Sequence, residues 1–234
     1  MKKILALAAV TMLALTGCTD DKKSGGDGGS KEDAAALLAD AKKTIDEAAS
    51  VHFVIAGRDL PDSAQALAKG DGVATHAPAF KGKLTVRTAG STIDADVVSV
   101  GGKTYVKPSF SPKYLDFSPE QLAGLGAPDP AILLNPEKGL TNALATVKDP
   151  VVKGEVRDGA KVLTEVTGAI QGKSLAGIFP GAAEDKEFPS TFTIDKSSKQ
   201  LVKATITGPF YGDATSAYDV TLDKYGEQVE IVKP

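Results

Sequence analysis

Few side chains in this 234-residue chain are placed to do chemistry, and the first is Cys18. It closes the tetrapeptide Leu15-Thr16-Gly17-Cys18, after Met1-Lys2-Lys3 and an apolar run over residues 4–15. Two lysines and a short apolar stretch have the form of a secretory leader. The run is too short to span a bilayer, which needs about 20 residues. A leucine, two small or polar residues and a cysteine form a lipobox. Small side chains let the chain enter a peptidase cleft, and the thiol accepts a diacylglyceryl group. Cys18 is also the only cysteine, so no intramolecular disulfide can form, and a lone thiol exported to an oxidising compartment points to a dedicated use. The competing reading is an ordinary secretory leader with a leftover cysteine.

Candidates for catalysis or metal binding are sparse. There are two histidines. His52 sits in a strand pattern on the face opposite Phe53, and His76 sits in a loop before Pro78. Neither has Asp, Glu or Cys at metal-ligand spacing in the sequence, so both read as structural or incidental. No G-x-S-x-G nucleophile elbow occurs. Residues 168–174, GAIQGKS, resemble a phosphate loop but have three residues between the glycines where the cradle needs four. Gly102-Lys103-Thr104 lacks the upstream glycine. Asp94 and Asp96 share a strand face, but alternation directs them away from the core, as solvated charge. A catalytic pair would need a cleft that splits their pKa values. No catalytic residue, metal ligand or cofactor is expected, and the chain reads as a non-enzyme.

The elements that would position a site divide the chain in three. Residues 1–17 are the leader. Residues 18–30 carry the lipidated cysteine and a flexible Gly/Ser/charged linker, TDDKKSGGDGGS, with nothing to bury. Residues 31–234 have the length of one domain. Removing Lys2 and Lys3 with the leader takes the formal charge from −3 to −5. That acidity argues against nucleic acid as a partner and against tight electrostatic binding to anionic headgroups.

A helix is expected over residues 30–49, with Ser30 as N-cap, Glu32 and Asp33 in its first turn, and Ala34, Leu37, Leu38, Ala41, Ile45 and Ala48 on one face. Strand alternation follows at Val51/Phe53/Ile55, Leu84/Val86 and Ile93/Ala95/Val97, with a tight turn at Gly101-Gly102. Residues 61–80 read as turn and loop. Ser118-Pro119-Glu120-Gln121 is a capping box opening a short helix. Asn135-Pro136-Glu137 opens another that buries Leu140, Leu144 and Val147. A strand pair turns at Asp158-Gly159, and a short helix covers residues 174–179. Four strands close the chain, the last around Val229/Ile231. One wet face and one apolar face are the signature of an antiparallel meander of about ten or eleven strands. With three or four helices on the apolar face the class is α+β. An ordinary packed core accounts for the apolar pattern. A sheet lined by small side chains under few helices could also leave a cavity.

Three segments carry a resemblance: IDADVVSVGGKTYV from Ile93, PAILLNPEKGLTNALATV from Pro130, and the closing LDKYGEQVEIVKP. With the lipobox, the chain from residue 31 to 234 resembles the actinobacterial LppX/LprA/LprF/LprG lipoproteins, the LprG branch most closely. Tyr225 stands where that family often has Trp, and residues 61–80 and 179–188 match poorly. The resemblance implies a strongly curved antiparallel half-barrel, similar to LolA and LolB, with helices on its concave face enclosing an apolar cavity. It implies a cargo of triacylated glycolipid, such as phosphatidylinositol mannosides and lipoarabinomannan, or of triacylglycerol. It also implies a membrane held through the lipid anchor on the extracytoplasmic face, and a major-facilitator efflux pump as partner. Carried onto this chain, the cavity wall is Leu84 and Val86, extended by alternation to Ile93, Ala95 and Val97 and by helix facing to Leu140 and Leu144. The alternative is a scaffold or pump-accessory lipoprotein that carries no lipid. An envelope hydrolase would need a nucleophile–base pair in a cleft.

Overall fold

The computed structural model describes residues 31–234 except 89 and 126. The leader, Cys18, the linker and the Ser30 cap therefore lie outside the described residues. Helix α1 (Lys31–Glu47) turns Ala34, Leu38, Ala41 and Ile45 inward, each at most 4% exposed, as the i, i+4, i+7 spacing requires. The strands are β1 (Ser50–Arg58), β2 (Ala66–Thr75), β3 (Ala79–Thr88), β4 (Ser91–Val100), β5 (Lys103–Pro108) and β6 (Leu115–Phe117), then β7 (Lys148–Asp158), β8 (Lys161–Gln171), β9 (Glu187–Asp195), β10 (Leu201–Tyr211) and β11 (Ala214–Asp223). Between β6 and β7 lie α2 (Pro119–Gly124), a 3-10 turn (Pro130–Ile132) and α3 (Leu140–Ala145); α4 (Gly172–Leu175) follows β8.

Among the described residues the eleven strands form one antiparallel sheet in the order β6-β5-β4-β3-β2-β1-β11-β10-β9-β8-β7. The sheet is open, with β6 and β7 as its free edges. Register shifts at Leu67/Lys69, Leu201/Lys203, Gly208/Tyr211, Lys148/Val151 and Val152/Gly154 mark bulges, which bend the strands that carry them. The helices gather on one face. Helix α1 rests on β7 and β10, α3 on α1, α4 and β8, and the 3-10 turn on β2, β3 and β4.

Several elements differ from the sequence pattern. Strand β2 occupies the segment expected to be loop. Its sequence, ALAKGDGVAT, has almost no β-branched residues, and its glycines are there for packing. A Cβ on Gly72 would meet the Phe80 ring at 2.4 Å and the Lys81 carbonyl at 2.7 Å, so only glycine lets Phe80 fold over β2. The expected strand at Val229/Ile231 does not form. β11 is already flanked by β1 and β10, so the tail has no free edge beside it. Lys224 (φ 49°) and Gly226 (φ 77°) turn it off the sheet. There it is held by Gly226 N donating to Ser50 O (2.8 Å), Ser50 Oγ donating to Glu227 O (2.5 Å) and Lys233 Nζ lying 5.4 Å from the Tyr105 ring centroid. The helix expected from Asn135 starts only at Leu140. Asn135 Oδ1 instead accepts from the amides of Glu137 and Lys138, closing a separate turn. The capping box at Ser118 forms as expected.

Candidate functional site

Cross-strand register assembles the candidate wall on the inner face. Val86 stands opposite Ile93, Leu84 opposite Ala95, and Gly82 opposite Val97. Val97 and Ala95 in turn face Val106 and Pro108 of β5. Five of the seven expected wall residues thus form one contiguous apolar patch, because a period of two keeps all of them on one side. Leu84 and Val97 are buried, while Val86, Ile93 and Ala95 are only partly covered. The other two, Leu140 and Leu144, are buried on α3. The packing of α3 against α1, α4 and β8 sets them over the opposite half of the sheet. Cys18 lies outside the described residues.

A cavity of about 10 Å³ remains between the sheet and the 3-10 turn, bordered by Phe53, Ile55, Leu67, Leu84, Pro130 and Leu133. That is room for no more than one water. The alternation read at Phe53, Ile55 and Leu84 put those residues on the inner face. Leu67, Pro130 and Leu133 carry no such alternation, although the proline spacing Pro128-Asp129-Pro130 marks a segment that must cross the face without pairing.

The remaining candidates have structural duties. His52, on the outer face of β1, bridges two carboxylates: Nδ1 is 2.5 Å from Asp223 and Nε2 is 3.0 Å from Asp71. Partial burial alone would lower its pKa, but hydrogen bonds and charge from Asp71 and Asp223 outweigh this and raise it. His76 Nε2 sits 3.0 Å from the Ile45 carbonyl at the end of α1. Asp94 accepts from Thr85 Oγ1. Asp96 is paired with Lys83 (3.2 Å) and Lys107 (3.5 Å), and a hydrogen bond from Lys83 leads the effects that hold its carboxyl below the usual value. In GAIQGKS the amides of Gly172 and Lys173 are spent on Lys186 O (2.8 Å) and Glu184 O (3.1 Å), so they cannot cradle a phosphate. No group of three or more potential metal ligands occurs among the described residues, and no helix there is long and apolar enough to cross a membrane. The wall residues offer an apolar surface, and His52 with its two carboxylates lies on the opposite face of the sheet.

Comparison with known proteins fits this architecture. The family model described as LppX_LprAFG lipoprotein matches residues 33–231. The chain is 29% identical over 238 residues to the lipoarabinomannan carrier protein LprG of Mycobacterium tuberculosis, covering 100% of this chain and 95% of that one. It is 29% identical over 243 residues to lipoprotein LprA of the same organism, covering 98% and 94%. The crystal structure of LprF from Mycobacterium bovis matches with a TM-score of 0.71 at 22% identity, over 87% of this chain and 97% of that one. The crystal structure of LppX from Mycobacterium tuberculosis matches at 0.62 and 21% identity, over 87% and 100%. Both structures share the fold.

Proposed function

The chain belongs to the LppX_LprAFG lipoprotein family, whose members are lipoproteins rather than enzymes, and from that premise we propose that it is a membrane-anchored lipid carrier. Cys18 bears the anchor, residues 19–30 are the tether, and the chain works on the extracytoplasmic face. The cargo is triacylated: a glycolipid of the kind for which LprG is named, or triacylglycerol. The cargo's acyl chains lie against Leu84, Val86, Ile93, Ala95 and Val97, with Leu140 and Leu144 closing the far side. A major-facilitator efflux pump supplies direction.

The observation that carries this reading is the unevenly covered inner face, where Val86, Ile93 and Ala95 stay partly open while their strand neighbours Leu84 and Val97 are buried. Each methylene removed from water yields about 0.8 kcal/mol. For cargo leaving a bilayer, however, water is the wrong reference, and transfer into an apolar pocket is nearly neutral. A carrier therefore needs apolar area and a roof that gives way, with no polar clamp. The roof over β2–β4 is a 3-10 turn between prolines, an element with few hydrogen bonds to break.

The test is native mass spectrometry of residues 30–234 purified from an actinobacterial host, with organic extraction of the same sample. Adducts of triacylated-lipid mass, reduced by Leu84→Trp, are expected. A clean mass after incubation with lipid vesicles would overturn the reading. One observation favours a second reading, a pump-accessory lipoprotein that carries nothing: the enclosed volume of about 10 Å³ is too small for an acyl chain. The clean mass is the result that reading predicts.

A further inference from the structure

The most exposed large apolar side chain on the inner-face and edge elements is Phe110, 75% exposed, in the loop 109–114 that joins β5 to β6. The loop holds it there. Ser109 N donates to Asp94 O (2.8 Å), Ser111 N to Pro108 O (2.9 Å) and Lys113 N to Ser111 Oγ (3.2 Å), while Ser111 Oγ donates to Lys113 O (3.0 Å). A turn so tied presents its tip to solvent at a standing hydrophobic cost, and such exposure marks a contact surface when it continues into a larger apolar area. Here it does. The next apolar residue, Leu115, is 46% exposed and stands opposite Val106, which stands opposite Val97. An apolar track thus leads from the loop onto the inner face.

We propose that loop 109–114 is a membrane-docking element, with Phe110 entering the bilayer interface and Lys113 meeting anionic headgroups, so that the open end of the inner face lies against the lipid. This deepens the carrier reading and rests on it for the anchor. Three observations select a lipid surface as the occupant. The first is chemistry: an aromatic tip beside an exposed lysine with no ion pair among the described residues, and Tyr114 beneath Lys107 Nζ at 5.6 Å, is the amphipathic composition of membrane interfaces. The second is direction. Alternating strand sense puts the end of β5 and the start of β7 at the same end of the sheet, and α1 begins there, with Lys31 Nζ 2.8 Å from Asp149. The third is reach. Twelve residues separate Cys18 from Lys31, and a flexible chain of that length has a mean reach of about 20 Å. A short tether leaving from the loop's own end keeps that end facing the bilayer.

The chain has no tryptophan, so Phe110→Trp is a single reporter, and its exposed site makes the substitution structurally mild. The lipidated chain is reconstituted in vesicles of phosphatidylcholine and phosphatidylglycerol carrying brominated acyl chains. Val232→Trp, at an exposed site on the tail that runs from Ser50 toward Tyr105, is the control. The expected result is a blue shift and loss of most emission for Phe110→Trp, little quenching for Val232→Trp, and weaker quenching of Phe110→Trp when Lys113→Glu is added. Quenching of neither reporter, or of both equally, overturns the proposal, the first pointing to a protein partner for the loop. The readout needs no bound cargo, so it stands apart from the mass-spectrometric test of the carrier reading.

Discussion

The two halves of the sheet are built from the same kind of strand but packed differently. On the β7–β11 side the inner face is stacked with rings. Phe210 touches Phe179, Phe188 and Tyr218 at centroid distances of 5.3, 4.8 and 4.9 Å, and α1, α3 and α4 lie over that side. On the β2–β6 side the inner residues are mostly small or β-branched, and the 3-10 turn is the element resting on β2, β3 and β4. Helix α2 buries only Leu122. Dense aromatic packing fixes one half as a frame, because interiors at crystal-like density give way little. The thin half has fewer contacts to lose when something displaces its roof, and by the logic of local stability it is where opening should begin.

The largest effect should come from the frame. Phe210 is fully buried among three rings, so Phe210→Ala should cost about 3–5 kcal/mol of unfolding free energy in urea titrations. A loss under about 1 kcal/mol would show that the aromatic half is no stiffer than the other. The roof should respond less. Leu133, 4% exposed at the C-terminal cap of the 3-10 turn, can be truncated to alanine at about 2 kcal/mol, the low end for a buried leucine, because a thin cover can settle into the gap. The same variant should hold more lipid in native mass spectra, and unchanged occupancy would detach the roof from loading. The seam between the halves comes third. Tyr218 Oη donates to Leu67 O at 2.8 Å across β1 and meets Tyr211 Oη at 2.6 Å. Tyr218→Phe removes the donor to the Leu67 carbonyl and one partner of Tyr211, and should cost about 1–2 kcal/mol by thermal unfolding. A neutral result would mean that the two halves are not coupled through this bond.

What was legible in the sequence follows the range of the interactions. Leu84, Val86, Ile93, Ala95 and Val97 were assigned to one face correctly because a two-residue period is local information. The three segments around Gly101-Gly102, Asp158-Gly159 and Ser118 were likewise written in turn and cap chemistry. β2 was not, because Gly70 and Gly72 serve the side chains of Leu84 and Phe80 on the next strand, a requirement absent from β2's own pattern. Nor was the role of His52, whose two carboxylates lie 19 and 171 residues away. The degree to which the roof closes on the wall residues is also beyond periodicity. Alternation says which way Val86 and Ile93 point, and packing of residues 127–134 decides how much space is left above them.

His52 gives the smallest effect and the sharpest test of the seam. It sits on β1, between Asp71 of the thin half and Asp223 of the frame, and joins the two on the outer face. Protonated, its ring donates to both carboxylates. Neutral, it can donate to only one and turns a lone pair toward the other. Its pKa is raised in the folded chain, so its contribution to stability is fully present below the unfolded value near 6.5 and is lost as pH rises through the folded value. Both carboxylates are more than half exposed, which keeps the effect to about 1 kcal/mol or less. Unfolding titrations of the parent chain and His52→Gln at a series of pH values should differ most on the acid side and converge as pH rises past that range. Parallel pH profiles would remove His52 from the seam and leave the Tyr218–Leu67 bond as its one tested link.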